Sequence, residues 1–232
     1  MTRLAIFGDS FVDPTWKNRA VYPWTWVNRL AQAYPTHNAG MMGTGPDYAL
    51  EHLLQYIEQT PNTELAETCC IFVCSDPHRL NLKDFWQEDK HQVNLLPIAD
   101  RSQPHPKHMF ARDLVRHLMV PGWRSREDFK ILCTLNTLAH NFRRVLYWPA
   151  IDPYPVYVNM IRTEDNMQVA LPGLFDISSR TSPTGAGYDD ARVNHFDPDQ
   201  HGDIYDAVLQ WIKTGKPVRS DLLLDGWVAS NS

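Results

Sequence analysis

The apolar run Leu4-Ala5-Ile6-Phe7, stopped at once by Gly8-Asp9-Ser10, constrains this chain more than any other stretch. A short uninterrupted apolar run ended by turn residues reads as a strand covered on both faces, the kind found in parallel sheets packed between helices. Such a strand would carry Ser10 into a turn at its carboxyl end, the edge of an open α/β sheet where ligands bind. Glycine, aspartate and serine are also ordinary turn and capping residues, so these three alone do not make Ser10 a nucleophile.

Further along, strand and helix patterns alternate. Pro23 to Ala31 reads as a helix with proline in its first turn, ended by Pro35. Thr36 to Gly40 reads as a second strand edge, and Pro46 to Gln59 as a helix with Leu50, Leu53, Leu54 and Ile57 on one face. Cys69 to Val73 is a third buried strand, running into Ser75-Asp76-Pro77-His78-Arg79. Arg126 to Phe142 has helical spacing, with Phe129, Leu132, Leu135 and Leu138 towards the core, and Val145 to Trp148 is a fourth strand stopped by Pro149. Residues 152–190 read mostly as loop. The last helix follows Asp197-Pro198-Asp199-Gln200, an N-cap with proline at the first position, and buries Ile204, Val208 and Trp211 or Ile212. This alternation predicts an α/β three-layer sandwich with a central parallel sheet flanked by helices. The 232 residues suit a single domain, 1–232, with a non-periodic insert at about 77–125 and a tail at about 216–232.

Composition removes several classes of function. A net charge of −5 with no basic stripe gives no footprint for nucleic acid. No stretch approaches ~18 consecutive apolar residues, so no membrane span is expected. No signal peptide is legible ahead of the first strand, which suits a cytoplasmic protein or one made in the cytoplasm for a particle. Cys69, Cys70, Cys74 and Cys133 lack ligand spacing and read as small core residues of a reducing compartment. The histidines at 78, 91, 105, 108 and 117 share no spacing on one helix face, so neither a metal nor any other cofactor is expected. Trp16, Trp24, Trp26, Trp86 and Trp123 suit packing, or the platform of a carbohydrate site. The loop Gly40-Met41-Met42-Gly43-Thr44-Gly45 lacks the Gly-Lys-Ser/Thr ending that cradles phosphate. Close approach of the main chain at Gly40 is the better use of that glycine.

Polar clusters thus fall at the ends of successive strands: Gly8-Asp9-Ser10, Asn38-Ala39-Gly40 and Ser75-Asp76, with Asn194-His195-Phe196-Asp197 just before the last helix. In that order, from Leu4 to Trp211, the chain resembles the SGNH (GDSL-like) hydrolases, a family of esterases with an SGNH/flavodoxin-like fold. The resemblance implies that Ser10 is the nucleophile and that His195 is the base, His195-Phe196-Asp197-Pro198-Asp199-Gln200-His201 being similar to the family's H-L-N-P-E-G-H run. It implies an oxyanion hole built from the Ser10 N–H, Gly40 and the residue in the family's G-x-N-D motif, which here is Val73-Cys74-Ser75-Asp76, with Ser75 in place of asparagine. Loss of a well-placed oxyanion donor removes ~3–4 kcal/mol of transition-state stabilisation, part of which a serine hydroxyl can restore. Where the family has an acid three residues before the base, this chain has Arg192; Asp190 is the candidate acid, with a Ser–His dyad or a solvated turn at Asp189-Asp190 as alternatives. His201 is the second candidate base, set against a capping or packing role in the helix's first turn.

Two functions follow. One is a serine esterase acting on acyl or acetyl esters, carbohydrate esters included. The other is an SGNH-fold module without catalysis, with protein partners in a larger assembly such as a virus particle.

Overall fold

The computed structural model describes residues 1–16, 20–75, 123–149, 164–170 and 198–216, the short strands at 79–80 and 93–94, and isolated positions that include Leu174, Ile177, Phe196 and Val218. Asp76, Asp190, His195 and most of the insert lie outside these residues.

Five strands form one sheet: β1 (Arg3–Phe7), β4 (Thr36–Asn38), β5 (Thr68–Cys74), β8 (Arg144–Pro149) and β9 (Met167–Val169), in the order β4-β1-β5-β8-β9. Every neighbouring pair is parallel. Two small antiparallel pairs stand apart, β2 (Thr15–Trp16) with β3 (Ala20–Val21) and β6 (Arg79–Leu80) with β7 (Val93–Asn94).

Parallel strands need crossovers, and the helices that supply them cover both faces. Alternation along β1, β5 and β8 sends Leu4, Ile6, Ile71, Val73, Leu146 and Trp148 to one side. There they meet Trp26, Val27 and Leu30 of α1 (Trp26–Ala33) and Ile204, Val208 and Trp211 of α5 (Pro198–Thr214). Ala5, Phe7, Cys70, Phe72, Val145 and Tyr147 face the other side. They pack on Leu53 of α2 (Pro46–Gln59), Leu65 of α3 (Asn62–Leu65) and Leu132 and Leu135 of α4 (Trp123–Leu138). The three-layer sandwich expected from the sequence is therefore the fold.

Several boundaries and faces differ from the sequence reading. α1 starts at Trp26 rather than Pro23, because Thr25 is extended, with φ −64° and ψ 146°. Leu54 is 47% exposed: the buried line of α2 is Tyr48, Ala49 and Leu53, one residue round from the face assigned. α4 begins at Trp123, three residues earlier than expected, and ends at Leu138 in a 3-10 turn over Ala139–Asn141. The segment read as loop holds an additional edge strand, β9, whose Gln168 and polar approach Glu164-Asp165-Asn166 hide the pattern. The stretch from Val12 to Tyr22, a polar and aromatic loop by its sequence, likewise contains the β2–β3 pair.

Cys70 and Cys74 face α4, whereas Cys69 faces the opposite layer. All four cysteines are free thiols, three of them buried and Cys133 half-buried. Burial pushes the Cys69 and Cys70 thiols up, and for Cys74 burial is joined by the Asp128 carboxylate. Since the thiolate is the reactive form, a disulfide reagent should titrate one thiol, Cys133, in the native protein and all four in denaturant. Fast reaction of more than one native thiol would contradict this packing.

Candidate functional site

The site begins where β1 ends. Gly8 has φ +153°, and a Cβ there would lie 2.8 Å from Val12 Cγ2 and from Val73 Cβ and 2.9 Å from the Val73 carbonyl oxygen. Glycine is what lets the chain leave the sheet between Val12 and β5. Asp9 is buried and braces the turn from within: its Oδ1 accepts the Phe11 N–H at 3.1 Å, and its carbonyl accepts the Val12 N–H at 3.1 Å. From behind, the Trp26 indole N–H donates to the Phe11 carbonyl at 3.1 Å. Ser10 is thus held in a turn fixed on both sides. It is 7% exposed, and among the described residues neither its hydroxyl nor its N–H makes a hydrogen bond.

Against this turn lies the loop from Ala39 to Gly45. A Cβ on Gly40 would come within 2.5 Å of the Val12 carbonyl oxygen and 2.6 Å of its carbon. This is the close approach the sequence suggested for that glycine. Asn38 clasps the same contact from the end of β4: its Nδ2 donates to the Val12 carbonyl at 3.0 Å, and its Oδ1 accepts the Gly40 N–H at 2.8 Å. The Gly40 N–H is therefore committed to Asn38. The Met41 N–H donates to the Gly8 carbonyl at 3.1 Å, and the Thr44 hydroxyl reaches the Met41 carbonyl at 2.7 Å.

Ser75, immediately after β5, is buried, and its hydroxyl donates to the Thr44 carbonyl at 3.2 Å. It fastens the glycine loop to the central strand. One residue earlier, the Cys74 thiol lies 3.8 Å from Asp128 Oδ1, and Asp128 is itself buried on α4. Ser10, Gly40 and Ser75 are thus brought to the carboxyl edge of three neighbouring strands, β1, β4 and β5. His195 and Asp190 lie outside the described residues.

Gly43 is a residue that the sequence reading passed over. Its φ is +83°, no atom lies within 4 Å of a Cβ built there, and its N–H makes no hydrogen bond among the described residues. The second glycine of Gly40-Met41-Met42-Gly43 was visible in the sequence, but its left-handed backbone was not.

His201 has a structural task. Buried on the first turn of α5, its Nδ1 accepts the Trp26 N–H at 3.2 Å, so it caps the start of α1 from a different helix. Its ring meets Trp24 at 5.1 Å and Phe196 at 5.5 Å between centroids. Phe196 in turn packs on Phe11, 5.2 Å between ring centroids. Among the described residues no group of three or more His, Cys, Asp or Glu side chains is placed to hold a metal, and no helix is long and apolar enough to cross a membrane.

No family model matches the chain, and no curated protein matches it. Among solved structures it is similar to the psychrotrophic esterase EstA from Pseudoalteromonas sp., in a structure inhibited by monoethylphosphonate. That likeness has 13% identity, covers 92% of this chain and 100% of the other, and has a TM-score of 0.47. Similarity that remote carries no argument about the chemistry, which rests on the residues themselves.

Proposed function

We propose that this chain is a serine hydrolase of ester bonds, acting on acyl or acetyl esters, carbohydrate esters included. The observation that carries the reading is Ser10: a hydroxyl and an N–H with no hydrogen bond among the described residues, in a braced turn at the carboxyl edge of a parallel sheet. In the reaction, His195 takes the Ser10 proton as Oγ attacks the ester carbonyl. The tetrahedral intermediate collapses, the alcohol leaves with the proton from His195, and water activated by the same imidazole clears the acyl-enzyme. Asp190 is the proposed partner of the imidazole.

Chain connectivity supports His195. Phe196 packs on Phe11, and each is one residue from a proposed reacting group, while successive Cα atoms are ~3.8 Å apart. His201 is engaged at the start of α1, which leaves His195 the stronger candidate. For the oxyanion, the Ser10 and Gly43 N–H groups are the proposed donors, neither of them hydrogen-bonded among the described residues. Gly40 and Ser75 enter the hole by exchanging Asn38 and the Thr44 carbonyl for it.

Those two internal bonds also favour the second reading, a non-catalytic module of a larger assembly, because they tie up two of the three oxyanion groups expected from the sequence. A fluorophosphonate probe separates the readings. Covalent labelling of the folded protein at Ser10, absent after heat unfolding, is the expected result. Folded protein that takes no label would favour the module.

A further inference from the structure

We propose that Asp13 is a positioning residue for this reaction, holding the glycine loop in register with Ser10 so that its main-chain donor meets the oxyanion. The proposal rests on the serine hydrolase reading. Asp13 divides its carboxylate between two loops. Oδ1 accepts both the N–H and the hydroxyl of Thr15, each at 2.7 Å, which fixes the side chain against the start of β2. Oδ2 is thereby presented across the gap and accepts the Met42 N–H at 2.7 Å. Hydrogen bonds to an ionised acceptor are about twice as strong as neutral ones. This one grips the loop one residue before Gly43, whose φ is +83° and whose N–H has no partner among the described residues.

Among the described residues, Asn38 and the Gly8 carbonyl secure the loop's start, and Thr44 and Ser75 its finish. Asp13 holds the apex. Three residues along the chain from Ser10, it ties the position of that apex to the nucleophile's own turn.

The chemistry demands a carboxylate. Asparagine keeps one acceptor oxygen for Thr15 and turns an NH2 group towards the Met42 N–H, donor against donor. Misplacing a catalytic group by ~1 Å can lower rates by about 100-fold. The experiment measures p-nitrophenyl acetate hydrolysis and fluorophosphonate labelling for wild type, D13N and D13S, each with its unfolding midpoint. Both variants are expected to lose about 10- to 100-fold in kcat, with KM within about twofold of wild type and the protein folded at the assay temperature. Either folded variant retaining wild-type kcat overturns the proposal, as does a loss of the fold in both, which would make Asp13 a stabilising residue alone. A wild-type protein that neither hydrolyses nor labels refutes the parent reading instead, a result distinct from an active wild type with unaffected variants.

Discussion

Ser10→Ala is expected to lower p-nitrophenyl acetate hydrolysis by at least about 10³-fold, because removing a serine nucleophile leaves just the residual catalysis of the oxyanion hole and binding. The same change should scarcely affect stability. The Ser10 hydroxyl makes no hydrogen bond among the described residues, so its loss leaves no partner stranded there. The turn's braces, Asp9 to the Phe11 N–H and Trp26 to the Phe11 carbonyl, do not involve that hydroxyl. Steady-state kinetics and a thermal melt on one preparation check both halves. Activity within about tenfold of wild type, with the fold intact, removes Ser10 from the mechanism.

Gly8→Ala should act in the opposite way, destabilising the protein where Ser10→Ala spares it. The new methyl would meet Val12 Cγ2, Val73 Cβ and the Val73 carbonyl oxygen all inside 3.0 Å, at a backbone φ of +153°. Strain at a φ that L-residues rarely adopt costs about 1–3 kcal/mol, and overpacking a tight site costs a similar amount. We expect a loss of about 3–5 kcal/mol by denaturant titration, together with loss of fluorophosphonate labelling, since the methyl would displace the turn that carries Ser10. Destabilisation below about 1 kcal/mol would mean that the approach of Val12 to β5 is looser than described.

What the sequence made legible was whatever a single segment decides for itself. β5 announced itself through the unbroken run Cys69-Cys70-Ile71-Phe72-Val73, and α2 through Pro46 at its first turn and its apolar spacing, so the expected Pro46–Gln59 boundaries are the observed ones. α5 declared its start at Pro198 and its buried face. β9 did not, because three residues at a sheet edge, one of them glutamine, carry no period long enough to read. Leu54 misled for a related reason: four leucines and isoleucines on one helix leave its buried face ambiguous by one residue, and the neighbours Phe7 and Cys70 settle it.

The site divides along the same line. Gly8-Asp9-Ser10 and Asn38-Ala39-Gly40 stood out as polar stops after apolar runs. The clasps between them did not, since Asn38 to Val12, Asp13 to Met42 and Ser75 to Thr44 join residues whose proximity depends on the order of the strands in the sheet. The commitment of His201 to the start of α1 depends likewise on two helices sharing one face.

That last contact has a bearing on how the chain matures. The first turn of α1 takes its cap from a residue 175 positions later, so an N-terminal portion still emerging from the ribosome holds a helix start that nothing downstream can yet satisfy. Phe11, too, must wait for Phe196. Synthesis at ~5–20 residues per second leaves that interval open for about ten seconds or longer. Through it, the turn that carries Ser10 and the start of α1 stay unfinished until Phe196 and His201 have been added.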